Sequence, residues 1–361
     1  MILREMQADE AKGLQRLALK NFWRALEAPF VSKPKTAMVA EKDGKIIGGF
    51  LYSIENSGKN KLGFIDFFFV DFRHAGQGVG GALCKKGVAH MWAQGCDYLA
   101  AVVRDDNVGS WANFEKNGFT RIGLPEFTKI AGFGGLIKAN IGHMYGFSPG
   151  CNLYFATRPE NETLPRAKNF GLGQMFLHLI INIALVLIAV FLAIPMLVSG
   201  SVDFSAFFSE LPKWILSSVV IFGGVMLSTY IGTLFSKRNW KYQLTTGGGM
   251  LSLAVSLIGG IFPLSGGFYP NRYENTIKFR RDMAITAILP WVFLMILLPL
   301  VPLLDFELFH VGMMGIIIRI LLMFRCIPLF ASNFGASRVF VYKRGLWGLM
   351  VLGTVVVLGV F

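Results

Sequence analysis

Residues 70–83 read VDFRHAGQGVGGAL and decide the fold of the N-terminal part of the chain. They follow an apolar stretch, FIDFFF at 64–69, which predicts a strand, and they open a pattern that predicts a helix. Glycines in the loop let the backbone approach a ligand closely, and the start of a helix offers unpaired N–H groups to an anion. The stretch therefore predicts a pyrophosphate-binding loop between a strand and a helix.

The composition divides the chain into two parts. Of its 361 residues 53% are hydrophobic, the mean hydropathy is +0.53, and apolar residues concentrate from about position 174 onward. Such a composition is typical of an integral membrane protein, here of the cell membrane. We expect one domain at 1–158, a polar linker at 159–173 and a membrane domain at 174–361.

Charge and cysteine usage narrow the function classes. The formal net charge is +13, which in a membrane protein belongs to cytoplasmic loops and to surfaces near anionic headgroups. No basic tract with interleaved aromatics occurs, so nucleic acid is not an expected partner. The first twenty residues are charged and lack the apolar core of a signal peptide, so we expect the N-terminal domain in the cytosol. The four cysteines form no CxxC pair and indicate reduced packing residues.

Strand and helix patterns alternate in the N-terminal part. In order, they predict a strand at 2–4, a helix from 9 to about 26, strands at 36–41 and 45–53 joined through Asp43-Gly44, a strand at 62–70, a helix to about 94, a strand at 98–103, a helix at 107–117 and a strand at 151–157. The Gly-rich residues 124–150 predict a long loop.

Two familiar glycine-loop classes fit poorly. Gly76, Gly78 and Gly81 satisfy GxGxxG, but a Rossmann fingerprint opens the first βα unit, whereas a hairpin and a third strand come first here. The chain has no GK[ST] after the loop, which excludes a P-loop.

The order of elements and two sequence blocks resemble the GNAT acetyltransferase superfamily over residues 1–158. AGQGVG at 75–80 approaches the family's [QR]xxGx[GA] motif, and VRDDNVGS at 103–110 with FEKNGF at 114–119 looks like its second acyl-CoA-binding block. The resemblance implies an α/β GNAT fold, a mixed twisted sheet with helices on both faces. It also implies acetyl-CoA as co-substrate, bound by Val70, Gly76, Gln77, Gly78, Val79, Gly80, Gly81, Asn107 and Ser110.

Two departures from the family pattern bear on activity. Ala75 stands where the motif begins with a basic or amide residue, although a register opening at Arg73 satisfies the bare pattern. Phe114 occupies the position of a tyrosine that many relatives use to protonate the departing CoA thiolate, and phenylalanine has no proton to donate. The domain therefore uses another donor, reacts slowly, or only binds.

Asp66 is the candidate general base. It lies on the strand that leads to the glycine loop, among apolar residues, where a carboxylate can take a proton from an acceptor amine. The alternative is a carboxylate on the solvent face of the strand. His143 and Tyr145 belong to the 124–150 loop, which in the superfamily often borders the acceptor site, and we expect both to be solvated loop residues.

Loop charges predict the path of the membrane domain. Apolar spans occur near 174–198, 214–236, 282–304, 310–331 and 346–361, and a glycine-interrupted sixth stretch occupies 245–264. If 245–264 crossed fully, four basic residues at 272–281 would lie outside, against the positive-inside rule. We therefore expect five spans enclosing a re-entrant 245–264 segment, an all-α polytopic domain.

That arrangement, with the sequences at 324–328, 337–340 and 346–350, resembles the membrane core of site-2 proteases. The family's HExxH corresponds to 228–232, which reads STYIG, and its metal-binding Asp corresponds to Asn333 or Gly335. A zinc site needs three protein ligands, and the second half contains only His178 and His310. We expect a pseudoprotease core without metal.

Two arginines inside an apolar span are candidate polar sites. Charges at membrane depth are costly unless paired or hydrated. We expect Arg325, nearer the cytosolic end, to reach toward the surface, and Arg319 to bind a lipid phosphate or anion or to join a buried polar network.

The leading hypothesis is a membrane-anchored N-acetyltransferase that transfers acetyl from acetyl-CoA to an amine by direct attack. The acceptor stays open and includes amines associated with the bilayer. The competing hypothesis is a weakly active or inactive membrane sensor or adaptor that binds acyl-CoA and has a pseudoprotease core.

Overall fold

The computed structural model describes residues 1–21, 31, 33–104, 107–158, 171–270, 274, 276–304, 306–327 and 335–360. The chain divides into two compact units. The first unit comprises Met1–Val103, Asn107–Tyr145 and Asn152–Ala167, and the second comprises Arg104–Asp106, Gly146–Cys151 and Lys168–Phe361. The first is α/β and the second is mainly helical.

A seven-stranded mixed sheet forms the centre of the first unit. The sequence predicts a mixed sheet with six of these strands and does not predict the short one at Thr120–Arg121. The strands are β1 Ile2–Glu5, β2 Ala37–Lys42, β3 Lys45–Ser57, β4 Asn60–Val70, β5 Tyr98–Arg104, β6 Thr120–Arg121 and β7 Cys151–Thr157. Their order across the sheet is β1-β2-β3-β4-β5-β7-β6. Strands β1 to β4 pair antiparallel in sequence, whereas β4 and β5 are parallel.

The predicted hairpin turn joins β2 and β3. Asp43 and Gly44 both have positive φ, 52° and 69°, which the two-residue type I′ turn requires. Lys42 and Lys45 are partners in the ladder on either side. The Asp-Gly pair therefore sets the register between β2 and β3.

Helices cover both faces of the sheet. They are α1 Ala11–Asn21, α2 Val79–Ala93, α3 Val108–Lys116 and α4 Leu124–Ile137. Successive residues of β2 point to opposite faces of the sheet. Met38 packs in the core under α2, and Val39 packs in the core under α1. Helix α2 approaches the sheet closely because Gly87 has no side chain, and a Cβ there would lie 2.5 Å from Phe50.

The prediction of a loop over 124–150 is wrong for its first half, which forms a helix. Phe127, Ala131 and Gly135 are buried at intervals of four residues, the spacing of one helical face. Helix α4 bends at Gly132, whose φ of 70° departs from helical values, and continues as a π-helical turn over Lys138–Gly142. The glycines kink this helix without preventing it.

A β-bulge interrupts the pairing of β3 with β4 near the point where β4 and β5 separate. Leu51 pairs with Phe67 and Tyr52 with Ile65, so Asp66 is the extra residue of β4. In the described register, β4 and β5 pair only from Leu62–Tyr98 to Ile65–Ala101, although β4 continues to Val70. The two parallel strands therefore diverge at the bulge.

The second unit consists of nine α-helices and one hairpin in its described part. These are α5 Leu172–Leu187, α6 Ile194–Ser199, α7 Phe204–Ser218, α8 Gly224–Leu234, α9 Gly249–Leu257, α10 Ile277–Leu300, α11 Leu308–Phe324, α12 Ala336–Tyr342 and α13 Arg344–Val360, with strands β8 Trp240–Thr245 and β9 Ser265–Pro270. Turns of π-helix join α5 to α6 and α7 to α8.

Among the described residues, three continuous helices are long and apolar enough to cross a membrane: Leu172–Ser199, Phe207–Leu234 and Ile277–Leu303. Helices occupy the other two expected spans, but α11 and α13 have 17 residues each. They rise about 25 Å, less than a hydrocarbon core of about 30 Å. The expected span at 310–331 is too long because α11 ends at Phe324, ahead of Arg325 and Pro328.

The stretch 245–264 connects strand β8 to strand β9, so it begins and ends at the same hairpin. Strands β8 and β9 are antiparallel, and Thr245 pairs with Ser265, so the two ends of the stretch are neighbours. Helix α9 lies in the first half of this stretch, and Gly259, with φ of 79°, follows the C-terminus of the helix.

Small residues let α8 and α10 pack closely. Gly224, Ser228 and Gly232 recur at intervals of four on α8. A Cβ at Gly232 would lie 2.8 Å from the Thr286 backbone, and one at Gly224 would lie 2.1 Å from Phe293. This spacing of small residues is typical of helix pairs in membranes.

Candidate functional site

The glycine loop ends in an open helix N-terminus. Gly76 and Gly78 have φ of 79° and 78°, and a Cβ on either would meet no atom within 4 Å. The first donor bonded within α2 is Ala82, whose N–H reaches Gly78 O at 3.1 Å. The amides at 79–81 precede it and are the group that a helix N-terminus offers to an anion. The backbone thus fits a pyrophosphate.

Asp71 fixes the start of the loop, a role that no sequence motif predicts. Its buried carboxylate accepts hydrogen bonds from the Arg73 backbone N–H at 3.0 Å, from Arg73 Nε at 3.0 Å and from Arg73 Nη2 at 2.6 Å. These contacts with Arg73 lower the pKa of Asp71 to about 2. Arg73 is therefore held by Asp71, which weakens the alternative motif register that opens at Arg73.

Asn107 begins α3 as its cap. Its side-chain oxygen accepts the Ser110 N–H at 3.2 Å, an N-cap bond that the Asn type favours. This bond fixes the orientation of the Asn107 side chain, one of the residues expected to bind acetyl-CoA. Asn113 on the same helix lies next to the loop, since a Cβ at Gly81 would be 3.5 Å from its Oδ1.

Phe114 is a core residue. It is 2% exposed, and its ring centroid lies 6.0 Å from that of Phe68 and 5.1 Å from that of Phe119.

Burial raises the pKa of the Cys84 thiol to about 12 and of the Cys96 thiol to about 11. Neither thiol is a nucleophile at neutral pH.

Asp66 and His143 are hydrogen-bonded, a contact that no local sequence pattern predicts. His143 Nδ1 lies 2.8 Å from Asp66 Oδ1, and its ring stacks on Phe64 with centroids 3.6 Å apart. Phe64 and Asp66 are two residues apart on β4, so both contacts are made on one side of the strand. The expectation of a solvated His143 is wrong, because stacking and hydrogen bonding bury it. Tyr145, 1% exposed, is buried as well.

Burial distinguishes the two members of this pair. The Asp66 side chain is 30% exposed and that of His143 is 11% exposed. His143 Nε2 is buried and faces Glu55 Oε1 at 3.5 Å, which is too long for a good hydrogen bond. Asp66 is therefore the member that an incoming molecule can reach, and His143 holds it in position.

The polar groups of the second unit form structural bonds. His178 donates from Nε2 to Leu264 O at 2.8 Å, while its Nδ1 accepts from the Tyr242 hydroxyl. His310 Nε2 lies 2.7 Å from Ser217 Oγ. These contacts link α5 to the end of the 245–264 stretch and α7 to α11.

The positions aligned with protease ligands carry other chemistry. Ser228 and Thr229 donate to the Val225 carbonyl within their own helix. Gly335 begins α12 with φ of 89°, and Asn333 lies outside the described residues. Across the described part of the chain, no group of three or more His, Cys, Asp or Glu side chains is arranged to hold a metal ion.

The structure contradicts the expectation for Arg325 and leaves the one for Arg319 a prediction. Arg325 is 5% exposed, so it does not extend from the protein toward a surface as we expected. Arg319 is half-buried on α11, where a Cβ at Gly315 would lie 2.6 Å from its NH1. Of the two, Arg325 is the more enclosed by the protein.

Comparison with known proteins identifies the first unit. Residues 3–119 match the model of the Acetyltransferase (GNAT) family. The chain thus carries a GNAT domain there, and this family transfers acyl groups from acetyl-CoA. The resemblance of the second unit to site-2 proteases stays a prediction. No curated protein sequence matches the chain.

Solved structures similar to the chain cover less than half of it. Tetrahymena GCN5 is 17% identical, with 45% of this chain and 100% of that one covered and a TM-score of 0.34. Ard1 from Thermoplasma volcanium is 20% identical, with 43% and 96% covered and a TM-score of 0.30. The ribosomal-protein-S18-alanine N-acetyltransferase from Escherichia coli is 13% identical, with 47% and 99% covered and a TM-score of 0.32.

Proposed function

We propose that the protein is a membrane-anchored N-acetyltransferase that transfers acetyl from acetyl-CoA to an amine by direct attack. The observation that carries the proposal is the hydrogen bond between Asp66 and His143 at the β4 bulge. A partly exposed carboxylate is held there on the strand that continues to Val70 and the glycine loop. Bulges commonly aim side chains at active sites.

The loop backbone supports acetyl-CoA binding. The amides at 79–81 suit the pyrophosphate, and the backbone of β4 beyond Ile65, which leaves β5, can pair with an extended ligand arm. Gly76, Gln77, Gly78, Val79, Gly80 and Gly81 line the loop, with Val70, Asn107 and Ser110 as the further proposed contacts. Acetyl-CoA supplies an activated thioester to the reaction.

Proton removal falls to Asp66. An ammonium cannot attack a carbonyl, so a base must take one proton before or during attack. The Asp66 Oδ1 is bonded to His143, which leaves Oδ2 to accept that proton. His143 orients the carboxylate, and the stacked Phe64 fixes His143. The raised thiol pKa values of Cys84 and Cys96 support direct transfer over a covalent enzyme intermediate.

Membrane anchoring rests on the second unit. Its three long apolar helices support insertion into the cell membrane, with α11 and α13 as shorter companions. We further propose five membrane segments, a re-entrant 245–264, and a cytosolic first unit, because acetyl-CoA is a cytosolic metabolite and the positive-inside rule favours this orientation.

Calorimetric titration of the detergent-solubilised full chain with acetyl-CoA tests the proposal. Gly78→Glu should abolish binding because the side chain and its charge occupy the anion site. Gly58→Glu is the matched control, since Gly58 also has positive φ and open space around its Cβ position but lies in the β3–β4 turn. Unchanged affinity in Gly78→Glu would remove the glycine loop from the mechanism.

The second candidate function is a membrane sensor or adaptor that binds acyl-CoA without efficient transfer. Phe114, buried and without a proton to donate, and Ala75 at the motif start favour it. Release of CoA thiol distinguishes the two. An enzyme releases thiol on every turnover with a panel of amines, whereas a sensor binds acetyl-CoA tightly and releases thiol at the uncatalysed rate.

A further inference from the structure

Helix α4 has an unusual outer face. After the bend at Gly132, the helix and its π turn run on to Gly142. Phe133, Ile137 and Ile141 are 71%, 45% and 53% exposed and recur every four residues. They form one apolar stripe, which we call the outer stripe.

After Phe127, the inward face of α4 carries small residues, which is the reverse of the usual pattern for a surface helix. Ala131, Gly135 and Ala139 are buried there, and Ser57 Oγ donates to Ala131 O at 2.6 Å to fix the contact. Surface helices usually bury their large apolar residues and expose charges, as α2 does with Lys85 and Lys86. On α4 this holds only for the buried Phe127; after it, small residues face inward and Phe133, Ile137 and Ile141 face out.

We propose that the outer stripe lies in the surface of a lipid bilayer, at the boundary of headgroups and acyl chains. The occupant is argued from the chain itself. Residues 158–171 separate β7 from the first long apolar helix and reach at most about 50 Å, so a membrane holding that helix stays within reach of α4. Exposed Lys129, one turn before the stripe, suits anionic headgroups.

The proposed contact of the outer stripe with the bilayer also specifies the class of acceptor. This part of the inference rests on the proposed function. His143 follows Ile141 by two residues and holds Asp66. A stripe seated on the bilayer therefore brings the proposed base to an amine carried at the membrane surface. The substrate class is a primary amine presented at the headgroup level, rather than one diffusing in bulk solution.

Fluorescence quenching in vesicles tests the contact without depending on activity. The full chain carries one cysteine at Ile137→Cys in a background with the native cysteines replaced, is labelled with an environment-sensitive dye, and is reconstituted in phosphatidylcholine–phosphatidylglycerol vesicles containing a lipid-borne quencher. Lys86→Cys on α2 is the matched control on the same unit. Quenching at position 137 should exceed that at 86 by at least about twofold.

Equal lipid quenching at 137 and 86 would overturn the proposal. Shielding of 137 from aqueous iodide without lipid quenching would overturn it as well, and would indicate a protein partner or a second copy. Ile141→Cys serves as a second reporter, and unfolding temperatures equal to that of the unlabelled chain verify the fold. Acetyl-CoA calorimetry on the same samples reports separately on the proposed function.

Discussion

The Asp66–His143 pair carries the first prediction at the residue scale. Asp66→Asn removes the proton acceptor, so turnover should fall by about 10²- to 10⁴-fold. Affinity for acetyl-CoA should stay near that of the wild type, because a base acts after binding. Thiol-release kinetics and calorimetry measure the two quantities. Equal rates for both proteins across pH would exclude Asp66 as the base.

Two substitutions of His143 separate its contacts. His143→Phe keeps the stacking on Phe64 but removes the donor to Asp66, whereas His143→Gln keeps a donor and loses the ring. If His143 acts by positioning Asp66, His143→Phe should lower kcat more than His143→Gln does, because only His143→Gln keeps a donor to the carboxylate, and KM should change little in either. A purely structural role would lower stability in both variants and would lower kcat to a similar extent in the two.

Asp71 carries the second prediction, on stability. Its pKa is lowered to about 2 in the folded protein by Arg73, from about 4 when unfolded. The folded state therefore gains stability above pH 4 and loses it as pH falls toward 2. Asp71→Asn should cost on the order of 1–3 kcal/mol at neutral pH, and the difference should shrink at pH 2. Urea unfolding in detergent at both pH values measures it, and a constant difference would contradict the assignment.

At the element scale, close packing of α2 on the sheet predicts opposite effects of one substitution at two glycines. Gly87→Ala adds a Cβ 2.5 Å from Phe50 and should destabilise the first unit by about 1–2 kcal/mol despite better helix propensity. Gly13→Ala on α1 meets no atom within 4 Å and should stabilise it by roughly 0.5–1 kcal/mol. Thermal unfolding measures both, and stabilisation by Gly87→Ala would contradict the packing.

Local sequence patterns explain which elements were predictable. The Asp43-Gly44 turn and the glycine loop are specified by neighbouring residues, and both occur as expected. Helix α4 was missed because the glycines around position 132 indicate a loop, whereas its burial against β3 depends on tertiary contacts. The bulge at Asp66 depends on the pairing of β3 with β4, and the contact with His143 joins residues 77 positions apart. No local pattern contains that information.

At the scale of the whole molecule, the two units differ in how their elements approach one another. In the first unit, large apolar side chains fill a core between sheet and helices. In the second, Gly224 and Gly232 bring α8 close to α10, a use of small residues that is typical of helix pairs in membranes. The composition shift near residue 174 follows this difference.

The last prediction concerns the path of residues 245–264. Their ends are paired through Thr245 and Ser265, and Arg238, just before β8, is bonded to Glu274 at 2.8 Å and to Asp282 at 2.8 Å, both beyond β9. An ion pair that joins the two flanks requires them to lie on one side of the membrane. Together with the positive-inside rule, this predicts that the stretch enters and leaves on the cytosolic side.

Cysteine labelling in sealed cells measures this path. Asn239→Cys and Lys278→Cys flank the hairpin at exposed positions, and Ser201→Cys, in the loop expected outside, is the positive control. An impermeant thiol reagent should label position 201 in intact cells, and should label 239 and 278 only after the membrane is opened. Labelling of 278 without 239 in intact cells would mean a full crossing. That outcome would place Arg238 and Asp282 on opposite sides, which their 2.8 Å contact forbids.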